Sequence, residues 1–269
     1  GEKIAINSAK PQTTRRAIRG IVHRDYGQLI LVDTPGLHRP RTLLGQRLND
    51  LVEQTLGDVD VIGFCIPANE KIGPGDNFIN EQLNEFRRAK LVAVVTKCEL
   101  VSPEQLADQL MAVSQLRDWK AIVPVSAVTE DQLEVLTKVL IDLMPLSPPL
   151  YPADAVTDES LEARICELIR EATLEGVRDE LPHSIAVTID EMSKRKGKDL
   201  TDIHANIFVE RDSQKGIIIG HRGARLIDVG KRARLEIEKL IGHKVFLGVR
   251  VKVASEWQRD PKQLGKLGF

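Results

Sequence analysis

The sequence Gln28-Leu29-Ile30-Leu31-Val32-Asp33-Thr34-Pro35-Gly36 places an acidic turn directly after an apolar run. Its apolar part, Leu29 to Val32, predicts a buried strand, and Asp33 follows at the carboxyl end of that strand. Open α/β sheets bind ligands outside the carboxyl ends of their strands. Asp33 can therefore orient a magnesium shell, and Gly36 lets a backbone N–H approach a phosphate without a Cβ in the way. The motif alone is weak, because Asp-Thr-Pro-Gly also forms an ordinary turn.

The first half of the chain alternates short apolar runs with stretches of helical periodicity. Such alternation predicts a mostly parallel, doubly wound sheet of the α/β class. The predicted strands are Ile18 to Val22, Leu29 to Val32, Val59 to Ile66, Leu91 to Val95 and Ile122 to Val125. The predicted helices are Leu43 to Leu56, Phe78 to Arg88, Pro103 to Leu116 and Asp131 to Leu143.

Two further loops follow predicted strands as Asp33 does. They are Thr96-Lys97-Cys98-Glu99 and Ser126-Ala127. A carboxylate at Glu99 matches the two donors on one edge of guanine, N1–H and N2–H, which adenine cannot both supply. The stem of Lys97 would cover the base, and a backbone N–H of the Ser-Ala turn would meet the guanine carbonyl. Three loops in this order predict a binding site for GTP or GDP, although Glu99 could also be a plain acid at a helix entry.

Magnesium ligands are predicted at Thr14 and Asp33. The sequence Pro11-Gln12-Thr13-Thr14-Arg15 lies where a nucleotide-sensing segment would offer a threonine hydroxyl to Mg²⁺, with Thr13 as the second choice. No catalytic residue is assigned. The 269 residues begin at Gly1 and contain no G-x-x-x-x-G-K-[ST] phosphate loop, so we expect these residues alone to bind GTP weakly and to hydrolyse it negligibly.

Composition excludes several protein classes. The chain is 42% hydrophobic and 29% charged, which is ordinary for a globular protein. Its three cysteines are far apart and form no C-x-x-C pair, which argues against a zinc site or a disulfide framework. No apolar run approaches the roughly 18 residues that span a bilayer. We therefore predict a cytoplasmic protein.

A proline-rich linker divides the chain. Pro-Leu-Ser-Pro-Pro-Leu-Tyr-Pro, from Pro145 to Pro152, has no periodicity. We predict a first domain over residues 1–147, a linker over 148–160 and an α+β domain over 161–269. The elements predicted for the last domain are a helix Leu161 to Glu175, strands Ser184 to Met192 and His204 to Arg211, a helix-loop-helix around Gly220 to Leu240, and a strand Lys244 to Val253.

Positive and negative side chains are unevenly distributed along the chain, although its net charge is −1. From Pro182 onward there are 18 Lys and Arg against 11 Asp and Glu, or +7, which leaves 20 against 28, or −8, for the rest. An excess of positive charge at one end favours a nucleic-acid-binding module there. A basic face that only contacts solvent is the alternative explanation.

The sequence Gly216-Ile217-Ile218-Ile219-Gly220-His221-Arg222-Gly223 supports an RNA-binding module. A G-x-x-G turn between two helices lets a phosphodiester backbone lie close to the main chain, as in KH domains, which clamp about four nucleotides. The predicted RNA-binding residues are Lys215, Gly220, His221, Arg222, Gly223 and Arg225.

Together these motifs resemble the Era family of bacterial ribosome-assembly GTPases. The resemblance rests on Pro-Gln-Thr-Thr-Arg, Asp-Thr-Pro-Gly-Leu-His, Thr-Lys-x-Glu, the Pro-rich linker, Glu-Leu-Pro-His-Ser and Ile-Ile-Gly-His-Arg-Gly, and it runs to the closing Trp257 and Leu264 to Phe269. It implies a P-loop-NTPase-type GTPase domain, here without its first strand, phosphate loop and first helix, followed by a type II KH domain.

The resemblance also implies function. A family member uses GTP and Mg²⁺, binds small-subunit ribosomal RNA near its 3′ end during 30S maturation, and associates loosely with the inner face of the cell membrane; we expect a monomer. The nucleotide-binding residues are then Asp33, Thr34, Pro35, Gly36, Leu37, Thr96, Lys97, Cys98, Glu99, Ser126 and Ala127. Leu37 stands where Ras-like enzymes carry a catalytic Gln, and Glu99 stands where Asp is usual. The alternative function is a nucleotide-independent RNA-binding protein whose first half is a scaffold.

Overall fold

The computed structural model describes residues 3–8, 13–37, 40–177 and 181–269, with the backbone alone for residues 182 and 183. Four residues of the motifs quoted above, Pro11, Gln12, His38 and Glu180, lie outside this part of the chain. Two compact units are present and are described separately. The α/β unit comprises Ile21–Leu31 and Val52–Ala155, and the C-terminal unit comprises Gly1–Gly20, Val32–Leu51 and Val156–Phe269. The domain limits drawn from the sequence stay a prediction, and the compact units differ from them by grouping residues 13–20 and 32–51 with the C-terminal part.

The first two strands form a sheet of their own. Strands β1 (Ile18–Arg24) and β2 (Gly27–Asp33) pair with each other and with no other named strand. Only Asp25 and Tyr26 connect them, and two residues suffice for an antiparallel hairpin but not for a parallel crossover. The prediction that these strands belong to one mostly parallel sheet was therefore wrong.

The parallel sheet of the α/β unit is formed by three strands in the order β3-β4-β5. Strand β4 is central and its residues Val92 to Val95 are all buried. Ala93 and Val95 pack with Val113 of one helix, while Val92 and Val94 pack with Leu140 of another, so helices cover both faces as in a doubly wound sheet. The elements are α1 (Leu43–Asp58), β3 (Val61–Pro67), α2 (Pro74–Gln82), β4 (Lys90–Thr96), α3 (Pro103–Ser114), β5 (Ala121–Pro124) and α4 (Leu133–Asp142).

One helix boundary was misplaced by the sequence reading. Helix α2 begins at Pro74 and ends at Gln82, whereas the prediction ran from Phe78 to Arg88. Pro at the first helical position and Asp76 in the first turn mark this start, since Pro needs no hydrogen-bonded N–H there and the Asp76 carboxylate accepts from the N–H of Gly73.

The C-terminal unit contains the predicted α-β-β-α-α-β succession and one helix more. Strand β6 pairs antiparallel with β7, and β7 pairs parallel with β8. The helix that the sequence reading missed is the last one. Among the described residues, no helix combines the length and the apolar character needed to cross a bilayer. The elements are α5 (Leu161–Leu174), β6 (Ala186–Lys194), β7 (Leu200–Val209), α6 (Asp212–Ile219), α7 (Ala224–Ile241), β8 (Lys244–Val253) and α8 (Pro261–Leu267).

The core of this unit lies between one face of the sheet and helices α5, α6 and α7. Helix α7 contributes Val229, Ala233 and Ile237, spaced by four, and β7 contributes Ile203 and Ile207 on alternate positions. Each fully buried Ile contributes about 1.5–3 kcal/mol. The pattern fixes which face of β7 meets the helices, and therefore which side chains lie on the opposite face.

A second cluster joins the C-terminus to the beginning of α1. Trp257 is fully buried, packs with Leu44, Leu48 and Leu264, and donates from Nε1 to the Ser184 carbonyl at 3.1 Å. This cluster places the first half of α1, which directly follows the Asp33 loop, within the C-terminal unit.

Candidate functional site

The loop after β4 is positioned by its neighbours at the carboxyl edge of the parallel sheet. Lys97 has φ 59°, a left-handed conformation that turns the chain out of the strand. The N–H of Cys98 then donates to the Val125 carbonyl at 3.3 Å, and the N–H of Ala68 donates to the Thr96 carbonyl at 2.7 Å. The ends of all three parallel strands are thereby tied together.

Glu99 and Ser126, which the sequence predicts in one base-binding site, contact each other. The Ser126 hydroxyl donates to the Glu99 carboxylate and is the main cause that lowers its pKa. Ser126 also accepts from the N–H of Thr129 at 3.1 Å, which fixes its rotamer. Glu99 is exposed and ionised at neutral pH, and Ala127 beside it is exposed as well. The arrangement presents an exposed carboxylate acceptor beside the Ser126-Ala127 turn, in which the Ser126 N–H already donates to the Asp131 carbonyl at 3.2 Å.

The two predicted magnesium ligands also meet. Asp33 ends β2, and the Thr14 hydroxyl donates to its Oδ2 at 2.9 Å. Burial raises the pKa of Asp33 and the bond from Thr14 lowers it, with burial the larger influence. After Asp33 the chain buries Pro35 and leaves Gly36 exposed. Thr34 and Leu37 are half-buried.

This pair of oxygen donors fits Mg²⁺. Magnesium is commonly held by one or two protein oxygens together with substrate phosphates and waters, rather than by a cage of side chains. Within the described residues, no group of three or more His, Cys, Asp or Glu side chains could hold a metal by itself. Thr14 and Asp33 would hold the ion, which would neutralise charge on the phosphates.

Two buried guanidinium groups hold Thr14 from either side, and sequence reading missed both. Arg170 donates to the Thr13 carbonyl and to Glu167. Arg15 is 4% exposed and donates to the Ile185 carbonyl at 2.6 Å. Burial, and then the charge of Arg170, lower the pKa of Arg15 to about 9, so it still carries its charge at pH 7. An arginine in a polar stretch gives no sequence signal that it will be buried.

The G-x-x-G turn has the backbone geometry that its sequence predicts. Gly220 and Gly223 have φ 72° and 81°, and Arg222 between them has φ 51°. A Cβ on Gly220 would lie 2.7 Å from the Cβ of Arg225, so only glycine fits. The turn separates α6 from α7, and His221 and Arg222 are both exposed. A phosphodiester can therefore approach the turn closely.

The other two predicted RNA-binding side chains differ from each other. Lys215 is half-buried on α6. Arg225 instead donates to the carbonyls of Thr173 and Glu175, at 3.3 and 2.8 Å. The last carbonyls of a helix have no partner within it, and Arg225 satisfies those of α5. Its guanidinium is thus occupied within the protein.

Comparison with known proteins decides the family. A family model described as "50S ribosome-binding GTPase" matches residues 1–97, and one described as "KH domain" matches residues 180–258. The GTPase Era of Mycobacterium sp. (strain JLS) is 63% identical over 272 residues, covering 100% of this chain and 91% of the relative. The chain belongs to the Era family of GTPases. The GTPase Era of Streptomyces coelicolor is 58% identical over 278 residues, with 100% and 88% covered.

Solved Era structures confirm the predicted fold class. One contains Era with MgGDPNP and nucleotides 1506–1542 of 16S ribosomal RNA; its TM-score is 0.95 at 33% identity, and the match covers 99% of this chain and 90% of that one. Another contains a variant of Aquifex aeolicus Era bound to GDP·AlF4⁻, with a TM-score of 0.94 at 32% identity and the same coverage. The predicted GTPase family with a C-terminal KH domain is therefore confirmed, which favours the enzyme over the nucleotide-independent alternative.

Replacing Thr14 by Val tests the magnesium pair without any nucleotide. Val keeps the branched shape but cannot donate to Asp33, so Thr14→Val should raise the pKa of Asp33 further. Carboxyl ¹³C NMR during a pH titration measures this pKa. Thr188→Val, in strand β6, is the control and should leave it unchanged. If the pKa of Asp33 stays the same or falls in Thr14→Val, the Thr14 hydroxyl does not belong to the magnesium site.

Proposed function

We propose that the protein binds and hydrolyses GTP with Mg²⁺, and that it binds small-subunit ribosomal RNA near its 3′ end during maturation of the 30S subunit. The observation that carries this proposal is the close match to an Era structure that contains MgGDPNP and 16S RNA. The contact between Glu99 and Ser126 supports the guanine site, and the bond from Thr14 to Asp33 supports the magnesium site.

The RNA-binding part of the proposal is supported by the turn at Gly220 to Gly223. Its glycines admit a phosphate backbone, and its exposed Arg222 supplies a counter-charge in a region of net charge +7. Backbone contacts of this kind position an RNA strand. The proposed cytoplasmic location, with peripheral attachment to the inner face of the membrane, rests on the family resemblance alone, as does the monomeric state.

Substitution of Glu99 tests the guanine site. The protein for this test carries, ahead of residue 1, the phosphate-loop segment of an Era relative, because the 269 residues contain no such motif. Glu99→Asp should tighten GTP binding and sharpen discrimination against ATP. Glu99→Ala should abolish the discrimination, since each unpaired base donor costs roughly 1–3 kcal/mol. Fluorescent-nucleotide titration measures both affinities.

Glu104→Ala is the matched control for Glu99. Glu104 is another exposed glutamate whose pKa is lowered by nearby hydrogen bonds, and it lies in the first turn of α3. Its replacement should leave guanine affinity unchanged. Equal affinity of all Glu99 variants for GTP would place Glu99 outside the base pocket.

Acidic substitutions at His221 and Arg222 test the RNA site. The double variant His221→Asp, Arg222→Asp sets negative charge against the phosphates and keeps both glycines. Asp also tolerates the left-handed conformation of Arg222, so the fold should survive. RNA affinity should fall. If the wild-type protein neutralises about three RNA phosphates, the logarithm of its RNA affinity should fall with the logarithm of the salt concentration at a slope near −2.

The control for the acidic turn variant changes the charge of the other unit. Arg87→Asp, Arg88→Asp alters two exposed arginines of the α/β unit and makes the net charge at least as negative. RNA affinity should then fall only slightly. If the folded turn variant binds RNA as tightly as wild type, with folding checked by circular dichroism, the turn is structural and the RNA-binding part of the proposal fails.

A further inference from the structure

The face of the C-terminal sheet that points away from α5, α6 and α7 carries chemistry that the GTPase site and the G-x-x-G turn do not use. At its Phe208 end this face packs against α8. On β7, Ile203 and Ile207 enter the core, so His204 and Asn206 lie on the opposite face. Strand β8 places Phe246, Gly248 and Arg250 on that face, because they pair with Asp202, His204 and Asn206. We call this surface the outer sheet face.

An aromatic and cationic stack occupies one end of the outer sheet face. The Phe246 ring is 47% exposed. The Arg195 guanidinium lies over its ring at 5.9 Å and is held by Asp202. The ring of His204 meets that of Phe246 edge to face, with centroids 5.9 Å apart. Aromatic rings and arginine planes on a sheet are surfaces on which unpaired bases stack.

Glycine at position 248 is required by this arrangement. A Cβ there would lie 2.8 Å from Nδ1 of His204. Gly248 therefore makes room for the His204 ring to lie across β8 beside Phe246. Glycine within a strand weakens it, so its presence here has a packing reason.

A cavity adjoins the stack and contains polar groups suited to a base. Its volume is about 260 Å³, and it is lined by Asp190, Glu191, His204, Ala205, Gly248 and Arg250. Asn206 lies next to it, directly opposite Arg250 in the register, and is 1% exposed. The Asn206 amide lies against the Asp190 carboxylate, and its hydrogen bond to that carboxylate is the largest influence that lowers the pKa of Asp190. No further partner for the amide oxygen lies among the described residues.

A buried amide whose oxygen has no partner leaves hydrogen-bonding capacity unused, which destabilises the fold. An amide offers one acceptor and two donors side by side, which match the edge of a nucleobase. Arg250 beside it would meet a phosphate or a second base edge.

Charge at the rim also favours a polyanion. The β6–β7 connection next to Arg195 reads Lys194-Arg195-Lys196-Gly197-Lys198 and is exposed throughout. Lys194 pairs with Asp199 and Arg195 pairs with Asp202, so the four cations of this segment outnumber these two acidic partners. A ligand that approaches Phe246 therefore passes a positively charged edge.

The G-x-x-G turn precedes the 18-residue helix α7 and Phe246 follows it, so about 27 Å of helix separates them and only a long RNA strand would meet both. Helices α6 and α7, which flank the turn, pack against β8, the edge strand whose outward side chains include Phe246 and Arg250. A G-x-x-G turn clamps about four nucleotides. The RNA in the related Era complex runs over nucleotides 1506–1542, 37 in all, far more than the turn alone can bind.

We propose that the outer sheet face is a second site for single-stranded RNA, in which an unpaired base stacks at Phe246 and Arg195 and a neighbouring base edge bonds to the amide of Asn206. The proposal rests on the RNA-binding function proposed above. It adds a surface on the other side of the sheet from the G-x-x-G helices.

The test compares long and short RNA on the full chain. The long probe has the sequence of nucleotides 1506–1542 of 16S ribosomal RNA, and the short probe is the shortest fragment of it that wild type still binds. Phe246→Thr keeps a strand-forming residue and should weaken binding of the long probe about tenfold, since one aromatic platform is removed. Binding of the short probe, which fills only the turn, should not change. Leu235→Gln, at 46% exposure on α7, is the control and should change neither.

Asn206→Leu separates binding from folding. Leu has nearly the same shape and removes an amide whose bond is to the exposed carboxylate of Asp190, so stability in urea should change little while the affinity for the long probe falls. Unchanged affinity of both variants for the long probe would overturn the proposal, as would an equal loss for both probes, which indicates a structural role.

The same measurements distinguish failure of this proposal from failure of the RNA-binding function. The variant His221→Asp, Arg222→Asp should lose affinity for both probes. If it does and the sheet variants change nothing, only the second site is wrong. If wild type binds neither probe, the proposed RNA function and the second site both fall.

Discussion

The buried guanidinium of Arg15 is the constraint on which the C-terminal unit depends most. A buried charge must be paired and hydrogen-bonded, and Arg15 has the Ile185 carbonyl as a partner and Glu167 as a nearby opposite charge. The nearby positive charge of Arg170 makes the charged form of Arg15 less favourable. The packed core around Arg15 must therefore compensate for this unfavourable interaction. Removal of one partner from such a group leaves the others unsatisfied, which is usually strongly destabilising.

This constraint joins two sites within one unit. Thr14, which would bind Mg²⁺, lies between the Thr13 carbonyl held by Arg170 and the side chain of Arg15 held at Ile185. Ile185 belongs to the same core as Ile218 of α6 and Val229 of α7, the two helices that flank the G-x-x-G turn. The segment that holds Thr14 and the helices that flank the G-x-x-G turn are therefore supported by one core.

Sequence analysis predicted the features that depend on where strands end and where glycines lie. It missed the features that depend on contacts between residues that are distant along the chain. Loops after β4 and β5 had to meet because parallel strands end at one edge, and the turn at Gly220 had to be left-handed. The hairpin of β1 and β2 was missed although its two-residue connection was visible. The positions of Arg15, Arg225 and Asn206 had no local signal, since each depends on a carbonyl, a helix end or a sheet face that is distant along the chain.

The most direct test of this account is the solvent reactivity of individual arginines. Native protein is treated with phenylglyoxal, which modifies guanidinium groups, and the rate at each arginine is measured by mass spectrometry. The account predicts that Arg222 and Arg259, both exposed, react in the folded protein, while Arg15 and Arg170 react only as it unfolds. A rate at Arg15 as fast as that at Arg222 would contradict the claim that residues 13–20 are built into the C-terminal unit.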